Sequence, residues 1–262
     1  MKEVIAAAVM SLVLADFADA EEKRGEAMLK INPSGLSVAD IQSVSPALAR
    51  FGSEAITDDL WKRDELSQRD RSIVTLAILI ARNQPTELKH YVGVALDSGV
   101  TPAEVSEIIT HLAFYSGWPS AMSAIAATKG VFQKYGVTAE QLAEVSPALL
   151  PLNQDAERQR SETVEKNVAP ISPGLAKFTT SPLFLDLWQR PALKPRDRSL
   201  VTVSALIASG QSAQIGYHLN RAMDNGLTAE EAGEIVTHCA FYAGWPNAFS
   251  AAPVVGEVLR TR

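Results

Sequence analysis

The sequence predicts an all-α fold of two helical bundles in tandem. The chain contains a repeat: Arg69-Asp70-Arg71-Ser72 returns as Arg196-Asp197-Arg198-Ser199. His111-Leu112-Ala113-Phe114-Tyr115-Ser116-Gly117-Trp118-Pro119 returns as His238-Cys239-Ala240-Phe241-Tyr242-Ala243-Gly244-Trp245-Pro246. Matched residues are displaced by 127, as Arg196 is from Arg69, and no gap is needed from Pro46 to the end. A shared displacement over that length means shared spacing of helices and turns, hence one fold for both halves. No stretch alternates apolar and polar residues as a half-buried strand does, and every long periodic segment has the helical period.

The elements follow in order. Ser72 to Ala81 and Ser199 to Ala208 are apolar helices, and Asp70 and Asp197 suit their N-cap or first turn, where a carboxylate satisfies orphan amides. Glu87 to Ser98 and Gln214 to Asn225 form a second helix in each half, closed by Gly99 and Gly226, which suit the left-handed residue after a helix. Thr101-Pro102-Ala103-Glu104 and Thr228-Ala229-Glu230-Glu231 read as capping boxes opening a third helix. Pro119 and Pro246 begin a fourth, rich in Ala and Ser. Thr138-Ala139-Glu140-Gln141 is another helix start, and the charged stretch from Asp155 to Lys166 reads as a leading helix of the second half. The expected division is a leading segment, 1–40, a first repeat, 41–152, and a second repeat, 153–262.

The bulk properties narrow the function. A chain of 262 residues, 47% hydrophobic, can bury a large core. Its net charge of −6 argues against nucleic acid, which needs a basic face. No apolar run is long enough to span a membrane. One cysteine, Cys239, excludes an intrachain disulfide and a Cys-x-x-Cys pair. The apolar stretch Val4 to Ala15, followed by Ala18-Asp19-Ala20, reads either as an export leader or as an amphipathic first helix. Cytoplasmic and exported locations therefore both stay open.

Four histidines lie within the repeats. Gln214 and His218 are four apart and share a helical face. The matched positions hold Glu87 and Tyr91, with His90 beside them. A carboxylate next to an imidazole raises its pKa and fixes its tautomer, as a general acid near neutral pH requires. The plainer reading is a surface pair. His111 and His238 are either core histidines bonded to backbone or, with Tyr242 and Trp245, the wall of a small-ligand pocket. Arg198 suits bidentate carboxylate binding, although most of the four flanking arginines (Arg69, Arg71, Arg196, Arg198) suit pairing with nearby acids. No His-x-x-x-His or Glu-x-x-His pair recurs in both halves and one cysteine cannot build a thiolate cage, which gives metal binding little support. Phosphate loops and a serine nucleophile elbow are absent.

Taken together, the Arg-Asp-Arg-Ser helix starts, the Glu/Gln helix with its histidine, the Thr-x-x-Glu caps and the His-x-x-x-Tyr-x-Gly-Trp-Pro blocks resemble the carboxymuconolactone decarboxylase family. That family lies within the alkylhydroperoxidase-like helical superfamily. The resemblance covers about Pro46–Tyr135 and Pro173–Arg262. The family's Glu-x-x-x-His pattern is split here, with Glu87 in one half and His218 in the other. The resemblance implies loss of CO2 from a small carboxylated lactone or related organic acid, without cofactor or metal. On that basis His218 is expected as proton donor, His238 or Tyr242 as oxyanion partner and Arg198 as carboxylate ligand. Glu87, His90, His111 and Trp245 complete the candidate binding residues. The resemblance also implies a homo-oligomer, a trimer of fused pairs forming a pseudo-hexameric ring. Two other readings stand beside it: a protein that binds small acids or lactones without turnover, and redox chemistry at Cys239, for which a small core residue is the plainer account.

Overall fold

The structure is a computed structural model that describes residues 36–262. The leader or amphipathic helix expected of the first 30 residues lies outside the described residues. Among these residues all regular structure is helical. The chain divides into two compact units, one ending at Arg63 and the other running from Asp64 to Arg262.

The described part of the first unit contains α1 (Val38–Val44) and α2 (Pro46–Phe51), then a π-helical turn and a short 3-10 turn at Leu60–Lys62. A capping box between Ser37 and Asp40 starts α1, and Leu60 and Trp61 are buried.

The second unit contains the remaining helices. The first repeat supplies α3 (Gln68–Ala81), α4 (Pro85–Asp97), α5 (Pro102–Tyr115) and α6 (Trp118–Lys134). Next come α7 (Gln154–Asn167) and α8 (Pro173–Phe178). The second repeat supplies α9 (Pro195–Ala208), α10 (Ser212–Asp224), α11 (Ala229–Ala243) and α12 (Trp245–Thr261). Each second-repeat helix from α9 on begins within two residues of its first-repeat counterpart displaced by 127.

Local signals act as expected at most boundaries. Both Thr-x-x-Glu boxes form, at Thr101 and Thr228. Gly99 and Gly226 have φ of 91° and 99° after their helices, a conformation that costs other residues steric strain. Asp70 is not the N-cap of α3: Ser67 caps it, and Asp70 sits in the first turn. The Thr138 box forms too, but it opens only a 3-10 turn, Ala139–Gln141. Pro147 and Pro151 follow, and proline cannot extend a helix interior.

Central helices α3 and α9 pack on each other, and α5 and α11 each pack on both. Nearly every residue of α3 from Asp70 to Ile80 is buried, as is α9 from Asp197 to Ala208. The two repeats therefore share one continuous apolar core. Buried hydroxyls of these helices are satisfied by the carbonyl four residues back, as with Thr75 on Arg71 and Thr202 on Arg198.

A reciprocal charge network joins the repeats. Arg69 donates to Asp197 at 2.8 Å and to Glu104 at 2.6 Å. Arg196 donates to Asp70 at 2.8 Å and to Glu231. The plainer reading of these arginines, as partners of nearby acids, therefore holds across the repeat boundary.

Candidate functional site

The site is built from α5, α10 and the turn at Leu187–Gln189. In α10 the buried positions are Ile215, His218, Leu219 and Ala222, an i, i+3, i+4, i+7 stripe that turns His218 inward. Arg221, three residues on, lies on the adjoining part of that face. In α5, Glu107, His111 and Tyr115 recur every four residues along one face. Trp188 is held in a 3-10 turn behind Phe184, with the two rings stacked 5.8 Å apart.

These elements bring four rings together. His218 lies edge-on to Tyr115 at 5.4 Å and stacks near-parallel on Trp188 at 6.0 Å. His111 stacks on Tyr115 at 4.8 Å. Trp188 donates its indole N–H to the Tyr115 hydroxyl at 3.0 Å, which leaves the phenol's own proton to be donated elsewhere. The Arg221 guanidinium lies 4.2 Å over the Trp188 ring, a cation–π contact. Nδ1 of His218 is buried without a protein hydrogen-bond partner.

Electrostatics set the charge states. Burial, reinforced by Arg221, pushes the His218 imidazole down to about 4. Burial pushes the Tyr115 phenol upward, so it stays protonated. Burial, then the Arg198 charge, takes His111 well below its usual range. At neutral pH the site thus holds neutral imidazoles, a protonated phenol and one guanidinium.

The second-repeat histidine of the repeated block belongs to a different cluster. His238 stacks on Tyr242 at 4.8 Å, and Tyr242 shares a 3.0 Å hydrogen bond with Tyr91 of the first repeat. Burial and Arg71 push His238 down to about 3. Tyr91 occupies the position that His218 holds in the other cluster, and Val94 the position of Arg221. Each cluster thus takes its Tyr-bearing helix from one repeat and its α4 or α10 residue from the other.

The expected site residues therefore fall into separate places. His218 is in one cluster; His238 and Tyr242 are in the other. His111 and His238 are core histidines, bonded through Nε2 to the hydroxyls of Thr202 at 2.7 Å and Thr75 at 2.8 Å rather than to backbone carbonyls. Because Thr202 gives its proton to the Arg198 carbonyl, it accepts from His111, which fixes the Nε2–H tautomer. Arg198 is fully buried, and its Nη2 donates to Glu107 at 2.8 Å and to the Arg190 carbonyl at 2.9 Å, so the guanidinium is held within the core rather than presented to a ligand. Among the described residues no ion pair links Glu87 to His90. His90 lies edge-on to Tyr91 at 5.0 Å and is pushed down by burial, while Glu87 is pushed up by burial. Trp245 is 51% exposed at the start of α12, packed on Phe241. Cys239 is buried, and burial raises its thiol pKa, so it holds little thiolate. Among the described residues no group of three or more His, Cys, Asp or Glu side chains converges as a metal-ligand set, and no helix is long and apolar enough to cross a membrane.

Sequence reasoning did not single out Trp188, Tyr115 or Arg221 for this site. For Arg221 a signal existed: the 127-residue displacement sets it against Val94, a charge gained in one repeat only. A cleft of about 340 Å³, lined in part by Glu107, Thr110, Phe114, Leu187 and Arg190, opens on the adjoining stripe of α5. Of its four charged lining residues, Glu107 and Arg190 are bonded to each other at 2.8 Å, and Glu144 and Asp186 are the other two. The ring cluster is the stronger candidate, since among the described residues Nδ1 of its His218 and the guanidinium of its Arg221 have no hydrogen-bond acceptor or donor from the protein.

Fold and site together define an alkylhydroperoxidase-like, all-α double bundle with ring clusters shared between its repeats. The chain belongs to the carboxymuconolactone decarboxylase family, which matches at residues 46–130 and again at 173–257. It is 37% identical over 95 residues to the 4-carboxymuconolactone decarboxylase of Acinetobacter baylyi, covering 36% of this chain and 71% of that protein. It is 32% identical over 102 residues to the nitrosuccinic acid decarboxylase of Metarhizium robertsii, covering 38% and 71%. A crystal structure of a protein described as a gamma-carboxymuconolactone decarboxylase subunit from Burkholderia xenovorans aligns with TM-score 0.53. That alignment covers 92% of this chain and 97% of the other at 16% identity, a likeness of fold.

Proposed function

We propose that the chain is a carboxy-lyase acting on a small carboxylated lactone or related organic acid. The observation that carries this reading is His218, 6% exposed, set against Tyr115 and Trp188 with Nδ1 unpartnered. The two decarboxylases similar to this chain support it. Their named substrates, 4-carboxymuconolactone and nitrosuccinic acid, are both dicarboxylic acids whose lactone or nitro group accepts charge.

In the proposed reaction the bond from carbon to the departing carboxylate breaks and CO2 leaves. Its electron pair stays on the substrate, delocalised into the lactone carbonyl as a dienolate. The Tyr115 hydroxyl, its proton uncommitted, donates a hydrogen bond to that oxyanion. His218 returns a proton to carbon and is reprotonated from solvent, so one proton is consumed for each CO2 released. A neutral His218 with a depressed pKa is a poor acid in the empty site. A bound anion offsets Arg221 and raises the imidazole's affinity for a proton, so substrate brings the acid into its working form. The roles expected of His238 and Tyr242 pass here to their first-repeat equivalents, His111 as ring support and Tyr115 as oxyanion donor.

The test is CO2 release from 4-carboxymuconolactone and nitrosuccinate. His218→Ala should lower turnover on the order of 10²–10⁴-fold, and His90→Ala much less. Equal losses from both would move the acid to His90. Binding of either acid with no turnover would favour a binding protein instead.

A further inference from the structure

The buried and half-buried arginines of the second unit are accounted for by protein acceptors, with one exception. Arg71 bonds Glu234, Arg198 bonds Glu107, Arg160 bonds Glu157, and Arg69 and Arg196 hold the reciprocal network. Arg221 is half-buried, and among the described residues it has no carboxylate partner. Its Nε, like those of Arg71 and Arg198, is buried without an acceptor, but those two arginines are held by a carboxylate and Arg221 is not. What holds it is ring stacking, 4.2 Å over Trp188 and 5.6 Å from Phe184. These ring contacts give the guanidinium no acceptor, and a guanidinium carries a planar fork of N–H donors that can receive a carboxylate through two parallel bonds.

Two further observations agree. The guanidinium is close enough to His218, His111 and Tyr115 to act on all three electrostatically, so an anion held there lies within the ring cluster. The matched residue in the first repeat is Val94, and there Tyr91 and Tyr242 bond to each other.

We propose that Arg221 anchors a carboxylate that the substrate keeps through the reaction, which makes the His218 cluster, and not the Tyr91 cluster, the anion-binding site. This rests on the carboxy-lyase reading for the word "keeps". A carboxylate gripped by a guanidinium is stabilised in the ground state, which opposes its loss as CO2; only differential stabilisation of the transition state accelerates the step. The departing carboxylate therefore belongs on the ring side of the site and a second one on Arg221. The substrate class is a small dicarboxylate with an electron-accepting group.

The anchor is tested without turnover, by titrating the full chain with 2-furoate and with its neutral amide, 2-furamide, followed by tryptophan fluorescence and calorimetry. The wild type should bind 2-furoate roughly 10- to 100-fold more tightly than the amide, the range expected for a charged hydrogen-bonded pair. Arg221→Gln should abolish that preference and leave amide binding nearly unchanged. Arg221→Lys should keep part of it, and it decides the matter if the Gln variant does not fold. A wild type without the preference, or a Gln variant that retains it, overturns the proposal. A preference lost with Arg221 in a protein that releases no CO2 from either dicarboxylate leaves the anchor standing and removes the carboxy-lyase reading.

Discussion

His218 of the second repeat stands edge-on to Tyr115 of the first, their ring centroids 5.4 Å apart and their planes at 82°. The pair exists because α5 packs on α9 while α10 packs on α9 from its own repeat. Neither repeat alone contains both rings. The crossing gives the chain two clusters, and substitution has made them unequal: His with Arg221 in one, Tyr with Val94 in the other.

Tyr115→Phe should therefore impair the protein, and Tyr242→Phe should not do so equally. Removing the Tyr115 hydroxyl takes away the acceptor of the Trp188 indole N–H, at a stability cost of about 1–3 kcal/mol for a buried donor left unpaired. It also removes the proposed oxyanion donor, for which a loss on the order of 10²–10³-fold in kcat is expected. Tyr242→Phe removes the bond to Tyr91 but leaves the proposed oxyanion donor in place, so kcat should fall much less. Steady-state CO2 release and denaturant melts on both variants check this, and equal kcat losses would count against the assignment.

Arg71 and Glu234 form an ion pair between repeats, 0% and 3% exposed at 2.8 Å. Arg71→Met alone removes one buried partner of Glu234, at a cost of up to about 3–5 kcal/mol. The double variant Arg71→Met with Glu234→Leu should recover part of that loss, because apolar packing replaces a pair that was costly to desolvate. Urea unfolding of the single and double variants measures the difference; no recovery would mean the charges themselves hold the halves together.

Stability should fall as pH falls from about 6.5. Three imidazoles are buried neutral: His218, depressed to about 4; His238, to about 3; and His111, well below its usual range. His218 faces Arg221 and Tyr217 on its own helix, Tyr115 and His111 on α5 and the Trp188 ring; His238 faces Arg71. In the unfolded chain each takes a proton near pH 6.5, so the unfolded state binds more protons and gains. The stabilisation is complete above that pH and is lost on descent toward the folded values. With three groups the slope between pH 6 and 5 reaches about 4 kcal/mol per unit, before carboxylates titrate. Chemical denaturation across this window measures the slope, and His238→Gln should reduce it by about a third.

Trp118, Met122 and Ile125 recur at helical spacing on α6 and are 60%, 56% and 49% exposed; Trp245 and Phe249 repeat the pattern on α12 at 51% and 71%. Two apolar stripes of this size at matched positions suit self-association through equivalent faces. We propose a homo-oligomer, a trimer or a ring built from it. Light scattering at micromolar concentration should give a multiple of the 28.2 kDa chain, and Met122→Glu with Phe249→Glu should reduce it. A monomeric wild type would refute this.

The helices were legible because their signals are local: caps at Thr101 and Thr228, glycines at 99 and 226, and a common displacement. The composition of the site was not. His218 and Tyr115 are 103 positions apart, and only the packing of α5 on α9 decides that they meet. Periodicity within α11 makes His238 and Tyr242 neighbours, yet says nothing of which repeat supplies the third ring. Arg198 reads as a ligand for a substrate carboxylate until burial against Glu107 is known. Arg221 had a readable signal in its mismatch with Val94, but a mismatch acquires meaning only when Trp188 is seen beneath the guanidinium.

The inequality of the clusters should be reversible. In the first repeat Glu87 is present and Tyr91 and Val94 stand where the proposed catalytic cluster has His218 and Arg221. Tyr91→His alone would replace the Tyr91 hydroxyl bonded to Tyr242 with an imidazole, but would supply no charge to hold the proposed retained carboxylate. Tyr91→His with Val94→Arg would supply both, on one face of α4 at i and i+3. Introduced into a His218→Ala background, the double substitution should restore measurable CO2 release from 4-carboxymuconolactone or nitrosuccinate, and Tyr91→His alone should restore little. The expected recovery is partial, since a guanidinium at position 94 has not been fitted to its stacking surface as Arg221 is to Trp188. If Tyr91→His alone restored turnover as fully as the pair, the imidazole would suffice and the carboxylate anchor would be dispensable. If both variants fold, bind 2-furoate and yet release nothing, then histidine and arginine are not what separates the two clusters.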